Sequence, residues 1–184
     1  KYKIVVTDDR FKVYEEEKKV LESIGGEILI NNCETAEEVL EVSRDADGIL
    51  VNLAPMPASV IEKLEKCKVI ARYGVGYDNV DVDACSKKGI YLTNVPDYCE
   101  EEVSDHALAL IMACARKVAR RDAQVRQGMW NIGKKDPIYR IAGKTFAFLG
   151  FGMIARCLHR KIKSYEFSKI LVYDPFIDAD TIKS

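Results

Sequence analysis

A stretch near the end of the chain has the make-up of a phosphate-binding turn. Phe146-Ala147-Phe148-Leu149 reads as an apolar strand running directly into Gly150-Phe151-Gly152-Met153-Ile154-Ala155, a G-x-G-x-x-A pattern. Such a pattern recurs in loops without function, so its weight comes from the strand before it and the helix after it. Gly150 suits a tight strand-to-helix turn, and Gly152 removes the Cβ that would hold a pyrophosphate away from the backbone. Ala155 is small enough for the helix to pack on the strand, and the N–H groups of Met153 and Ile154 open that helix at its positive end. Asp174 closes a second apolar run, Lys169 to Tyr173, 22 residues after Gly152. A carboxylate there accepts hydrogen bonds from adenosine ribose hydroxyls and repels a 2′-phosphate, which points to NAD rather than NADP. The competing reading is a βαβ unit whose small residues serve packing alone.

A second group follows the apolar run Val69-Ile70-Ala71: Arg72-Tyr73-Gly74-Val75-Gly76-Tyr77-Asp78-Asn79. Open α/β sheets bind ligands beyond the carboxyl ends of their strands. Two glycines let successive N–H groups point the same way, forming a concavity for an anion such as a small carboxylate. The same residues also make an ordinary βα turn in which Asp78 or Asn79 caps the following helix.

These groups need a scaffold, and the first 94 residues supply a repeating one. Short β-branched runs (Ile4-Val5-Val6, Ile28-Leu29-Ile30, Ile49-Leu50-Val51, Val69-Ile70-Ala71, Ile90-Tyr91-Leu92) alternate with amphipathic stretches near 12–23, 35–43, 57–66 and 81–88. Apolar strands joined by helices specify a parallel sheet covered on both faces, here a doubly wound, flavodoxin-like unit of five strands. From about Glu100 to Gly128 the pattern predicts one long helix. Its uninterrupted apolar stretch Ala107–Ala115 is expected to be buried on all sides, and its basic half Arg116–Arg126 to emerge from the core. A polar connection near 131–142, flanked by Trp130, leads to the βαβ unit that carries Gly150, with its helix near 153–163. His106 leads the apolar helical stretch, where a half-buried imidazole serves a local hydrogen bond. His159 lies among Arg156, Arg160 and Lys161 and is expected to face solvent.

The chain has 184 residues, 48% hydrophobic and 31% charged, with a formal net charge of −1, which excludes intrinsic disorder. Interspersed charges with no basic excess argue against a nucleic-acid-binding protein. The six cysteines form no Cys-x-x-Cys pair, so no metal site is indicated. No run of 18 apolar residues and no signal peptide are present, so free thiols in a cytoplasmic protein give the simplest account.

Taken together, these motifs resemble the D-isomer-specific 2-hydroxyacid dehydrogenases. The likeness runs through Ala71–Asp81, Gly89-Ile90, Asn94–Asp97, Glu101–Leu110, Gly143-Lys144-Thr145, Gly150–Gly152 and Tyr173-Asp174-Pro175. Residues 97–106 are most similar to the branch that includes the C-terminal binding proteins. The resemblance implies a substrate domain over 1–94 and a truncated Rossmann NAD-binding domain over 95–184, beginning with a hinge and dimer-arm helix. It also implies that Val75 and Gly76 amides meet substrate and nicotinamide and that Val103 lies near the nicotinamide; among the residues present Arg72 is a cation able to help hold the substrate anion, though one arginine is not a catalytic site. Two departures stand out: Ala155 replaces the family's usual third glycine, and Met153 stands where the family carries Arg or Gln. Expected from the family are an NAD-dependent oxidoreductase of small 2-hydroxy and 2-keto acids, a homodimer, and no membrane or nucleic-acid partner. The substrate-gripping Arg, the acid and its His belong beyond Ser184, so no catalytic residue is assigned within the chain and the 184 residues alone are expected to be inactive. The alternative is a corepressor-like module that senses NAD(H) without catalysis.

Overall fold

The computed structural model describes residues 1–130, 136–178 and 180–181. It divides into two compact units, Lys1–Tyr98 and Cys99–Ser184. In the first, strands β1 (Tyr2–Val6), β2 (Gly26–Ile30), β3 (Gly48–Val51), β4 (Val69–Arg72) and β5 (Tyr91–Thr93) alternate with helices α1 (Glu15–Ser23), α2 (Ala36–Ser43), α3 (Ala58–Ile61) and α4 (Val82–Lys88). All neighbours pair in parallel, in the order β2-β1-β3-β4-β5. The core contains Val5, Val39, Ile49, Val51, Met56, Ile61 and Ile70, all fully buried, whereas Leu29 and Ile30 of the edge strand β2 are exposed.

Local chemistry fixes the helix starts. Thr35 and Glu38 form a reciprocal capping box on α2, and the Asp81 carboxylate accepts from the Ala84 N–H at 2.8 Å to cap α4. The cap of α4 is therefore Asp81, neither Asp78 nor Asn79. Helix α3 is a single turn, shorter than the 57–66 expected; its Val60 and Ile61 are buried, as is Leu64 in the turns that carry the chain on through residues 62–66.

The second unit contains α5 (Glu100–Ala115), α6 (Val118–Arg126), β6 (Thr145–Leu149), α7 (Met153–Ile162), a 3-10 turn (Lys163–Tyr165) and β7 (Lys169–Tyr173). Strands β6 and β7 pair in parallel from Thr145↔Lys169 to Leu149↔Tyr173. The expected single helix over 100–128 is two. Lys117 adopts a left-handed conformation (φ 55°) and its ammonium pairs with buried Asp136, which also attracts Arg120 at 3.3 Å. Residues 131–135 of the polar connection lie outside the described residues; Trp130 before them is 85% exposed.

The apolar stretch of α5 is not buried on all sides. Ala107, Leu108 and Ile111 pack on the cluster of Phe148, Phe151, Leu158 and Ile162, whereas Ala109 and Cys114 are exposed and Leu110 is 54% exposed. Residues 104, 107, 108 and 111 form one helical stripe, and this stripe packs toward α7. Ser104 Oγ sits 3.0 Å from Cys157 Sγ inside this contact, and Lys161 reaches Glu101 at 2.9 Å at its rim. Among the described residues no helix is long and apolar enough to cross a membrane.

Candidate functional site

The strand-to-helix turn after β6 has the geometry its composition calls for. Gly150 has φ +89°, a conformation that L side chains rarely adopt, and its N–H donates to Tyr173 O at 2.8 Å, tying the turn to the end of β7. An added Cβ at Gly150 or Gly152 would meet nothing within 4 Å, so the space over the turn is open. Helix α7 starts at Met153 with Gly152 as its cap and no side chain satisfying the first-turn N–H groups. Donors of that kind at a helix's positive end suit phosphate oxygens. Phe151 turns inward and Ala155 packs on the same cluster, as the small-residue reading requires.

Asp174 follows β7 and is brought onto this turn. One carboxylate oxygen accepts from the Phe151 N–H at 2.7 Å and the other from the Phe176 N–H at 2.8 Å. These amide hydrogen bonds, Phe151 first, hold the carboxyl below its ordinary range. Each oxygen keeps a further lone pair, so the group can still accept from a ribose hydroxyl.

In the first unit the residues after β4 form a tight loop. Gly74 N–H donates back to Arg72 O at 2.9 Å, and Gly74 has φ +146°. A Cβ at Gly74 would lie 1.7 Å from Arg72 Nη1, so the glycine is what lets the guanidinium rest against the loop. Arg72 Nη1 donates to Tyr73 O at 3.0 Å, while its Nε is buried with no hydrogen-bond partner among the described residues. The N–H groups of Val75 and Gly76 make no hydrogen bond among the described residues, and Val75 is 39% exposed. The loop thus presents two open amides, and Asn94 braces them by donating to Val75 O at 2.8 Å. Val103 lies in the first turn of α5 and is also exposed.

Two supporting residues were not picked out from the sequence. Asp8, two residues beyond β1, is buried and accepts from the N–H groups of Asn52 (2.9 Å), Leu53 (2.6 Å) and Ala54 (3.3 Å) beyond β3. Asn79, weighed only as a cap, instead donates to Ala54 O at 2.8 Å and Asn52 O at 3.3 Å. Loops from the ends of β1, β3 and β4 are thereby fastened together at the carboxyl edge of the sheet. The available signal was an Asp one residue past the apolar run Ile4-Val5-Val6, separated from it only by Thr7, where solvent exposure is not assured.

Two tyrosines brace the same edge. Tyr14 donates to Asp9 at 3.0 Å and Tyr73 to Glu17 at 2.9 Å, with Phe11 edge-on to the Tyr73 ring at 5.2 Å. Burial, then the hydrogen bond to Asp9, pushes the Tyr14 phenol up to about 12; burial and Glu17 push Tyr73 up as well. Both phenols stay protonated in the folded chain at pH values where the unfolded chain ionises. Their contribution to stability is whole below about pH 10 and is lost as pH rises through the folded values. In an alkaline titration, these two of the nine tyrosines should ionise after the rest, together with the loss of circular dichroism. Ionisation of all nine below that transition would contradict this.

The histidines differ from expectation. His106 is exposed on α5, and His159 is half-buried, with its ring edge-on to Phe148 and Phe151 at 6.2 and 5.9 Å. The amphipathic turn of α7 brings position 159 onto the aromatic side of the helix, which a tally of its basic sequence neighbours does not reveal.

Residues 4–181 match the family model described as D-isomer specific 2-hydroxyacid dehydrogenase, catalytic domain. The chain is 36% identical over 183 residues to a D-3-phosphoglycerate dehydrogenase of Methanocaldococcus jannaschii, covering 99% of this chain and 34% of that protein. It is 37% identical over 140 residues to a glyoxylate reductase of Korarchaeum cryptofilum, covering 74% of this chain and 42% of that one. Its fold is similar to that of the NAD+-bound 3-phosphoglycerate dehydrogenase of Entamoeba histolytica, with TM-score 0.74 and 27% identity over 97% of this chain and 56% of that structure. The chain therefore spans well under half the length of these two curated relatives. Their names are those of dehydrogenases and reductases, which does not favour the corepressor-like alternative. The matched span takes in both the open-amide loop and the glycine turn, and the chain belongs to the D-isomer-specific 2-hydroxyacid dehydrogenase family.

Proposed function

We propose that this chain forms the substrate-domain sheet and the opening of the dinucleotide-binding domain of an NAD-dependent D-2-hydroxyacid dehydrogenase. The observation that carries the reading is the β6–α7 turn, where Gly150 and Gly152 leave open space over unsatisfied helix N–H groups and Asp174 stands on the Phe151 amide. Bound there, the nicotinamide cofactor supplies or takes up the hydride. The N–H groups of Met153 and Ile154 hold its pyrophosphate, and Asp174 orients the ribose and disfavours a 2′-phosphate. The open amides of Val75 and Gly76, with the Arg72 cation, orient the carboxylate of a small 2-hydroxy or 2-keto acid. Val103 belongs near the nicotinamide on the family pattern. Neither His106, exposed on α5, nor His159, packed on two phenylalanines, is assigned the proton-donating role. The reading includes a homodimer, in keeping with the uncovered apolar face of α5, and a reducing cytoplasmic setting, in keeping with six free thiols.

Titration of the chain with NAD, NADP and ADP, followed by NMR of the isotope-labelled protein, tests the cofactor half. NAD and ADP should perturb residues 150–155 and 174, NAD should bind at least about tenfold more tightly than NADP, and Asp174→Ala should erase that preference. Gly152→Val should abolish binding. The reading fails if neither NAD nor ADP binds, or if the purified protein carries a flavin spectrum.

A further inference from the structure

We propose that Arg156 is the cation that grips the dinucleotide's pyrophosphate, one helical turn inside the exposed apolar position held by Met153. This rests on the cofactor reading above and adds to it a residue that the glycine motif does not specify. The first turn of α7 offers backbone N–H groups but no charged side chain: Met153 is 54% exposed, Ile154 is exposed, and both are apolar. Arg156 is the first cation along the helix. Its Nε donates to Phe151 O at 3.1 Å, and its Cζ lies 5.4 Å from the Phe151 ring centroid. The guanidinium is thus held at the glycine turn by its inner edge. Neither Nη makes a hydrogen bond or ion pair among the described residues. A guanidinium fixed by one edge, with its outer donors open, is pre-organised for bidentate contact with phosphate oxygens.

The surroundings support the same assignment. Arg156 and Met153 line one cavity of about 490 Å³, together with Phe151, His159, Arg160 and Lys163, and with Glu100 and Glu101 of α5. Positions 156, 160 and 163 share a face, so one wall of the cavity carries a line of cations while α5 contributes carboxylates. Within that line Arg160 is engaged by Glu101, whereas Arg156 has no carboxylate within ion-pair distance among the described residues. A phosphate drawn to the N–H groups of Met153 and Ile154 meets Arg156 as the first cation of its own helix, one whose charge acts on the Asp174 carboxylate without forming an ion pair with it.

The rival role for Arg156 is to brace the Phe151 carbonyl and nothing more. Adenosine, ADP and NAD separate the two, because adenosine carries no phosphate. In NMR titrations of the 184-residue chain, Arg156→Gln keeps a neutral donor for Phe151. It should weaken ADP and NAD about tenfold, or about 1.4 kcal/mol, and leave adenosine binding unchanged. The dependence of ADP affinity on salt should flatten in the same variant. Arg156→Lys should retain most of the affinity, and adding Met153→Arg to the Arg156→Gln variant should restore it. If Arg156→Gln leaves ADP binding intact, or weakens adenosine as much as ADP, the inference is wrong while the cofactor reading stands. If the wild-type chain binds neither ADP nor NAD, the cofactor reading itself falls and takes this inference with it.

Discussion

Replacing Asp8 with Ala is expected to destabilise the unit formed by residues 1–98 by about 3–5 kcal/mol, a large part of the roughly 5–15 kcal/mol that holds an ordinary domain folded. The size follows from what the carboxylate does rather than from its charge alone. It is buried, and it accepts from three consecutive N–H groups at Asn52, Leu53 and Ala54 as well as from the Thr7 hydroxyl at 2.8 Å. Alanine would leave those amides without partners in a place that water does not readily reach, and each unmet donor costs about 1–3 kcal/mol. Asp8→Asn is the informative companion. It retains one accepting oxygen but turns an NH₂ group toward amides that also donate, so it should lie between wild type and alanine. Urea denaturation checks both, and a loss below about 1 kcal/mol for the alanine variant would show that the β3 loop finds other partners.

Hydrogen exchange should show that the second unit opens far more readily than the first. Amides of β6 and β7 are expected to be protected about a hundredfold less than those of β1 and β3, a difference of about 2.7 kcal/mol in opening free energy. The reason is geometric. A five-stranded parallel sheet buries its central strands on both faces, whereas β6 and β7 make a two-stranded sheet, and two strands alone are marginal in water. Leu149 is 88% exposed, and Leu171 and Tyr173 are exposed too, so one side of that sheet contributes little burial. What holds it is α7, with Phe148, Phe151, Leu158 and Ile162 in its small core, and the clamp of Ser104, Cys157, Glu101 and Lys161 onto α5. Hydrogen bonds from Lys161, Cys157 and Arg160 draw the Glu101 carboxyl down to about 2, but the pair is exposed and adds little to stability. Equal protection in both units would contradict this expectation.

The strands were readable because each is a short apolar run between turn signals, and a buried parallel strand needs nothing else. The glycine turn was readable for a similar reason: Gly150's positive φ is a local requirement that only one residue type meets without strain. What escaped the sequence depends on groups distant along the chain. The break between α5 and α6 is invisible in a helical pattern that continues through Arg116 and Lys117; it falls where the Lys117 backbone turns left-handed and its ammonium meets Asp136, far along the chain. Asp8 reads as a surface acid until the β3 loop folds over it. The nine-residue apolar stretch of α5 was expected to be enclosed because composition says what a helix can bury, not how many neighbours arrive to bury it. The loop after β4 stayed ambiguous between turn and anion site, since a turn and a pair of open amides use the same glycines.

The strand order β2-β1-β3-β4-β5 has a consequence for how the chain is made. Strand β1 takes an inner place, β2 adds at one side of it, β3 at the other, and β4 and β5 then extend that second side in turn. No later strand has to pry apart two that are already paired, so the sheet can grow at its edges as the polypeptide emerges. Parallel pairing forbids hairpins and makes each addition wait for its crossover helix. The carboxylate of Asp8 is made more than forty residues before its partners at 52–54. Until then it is an acid at the end of a growing sheet, held in water, and the closing of the β3 loop over it marks the moment when the carboxyl edge acquires its final form.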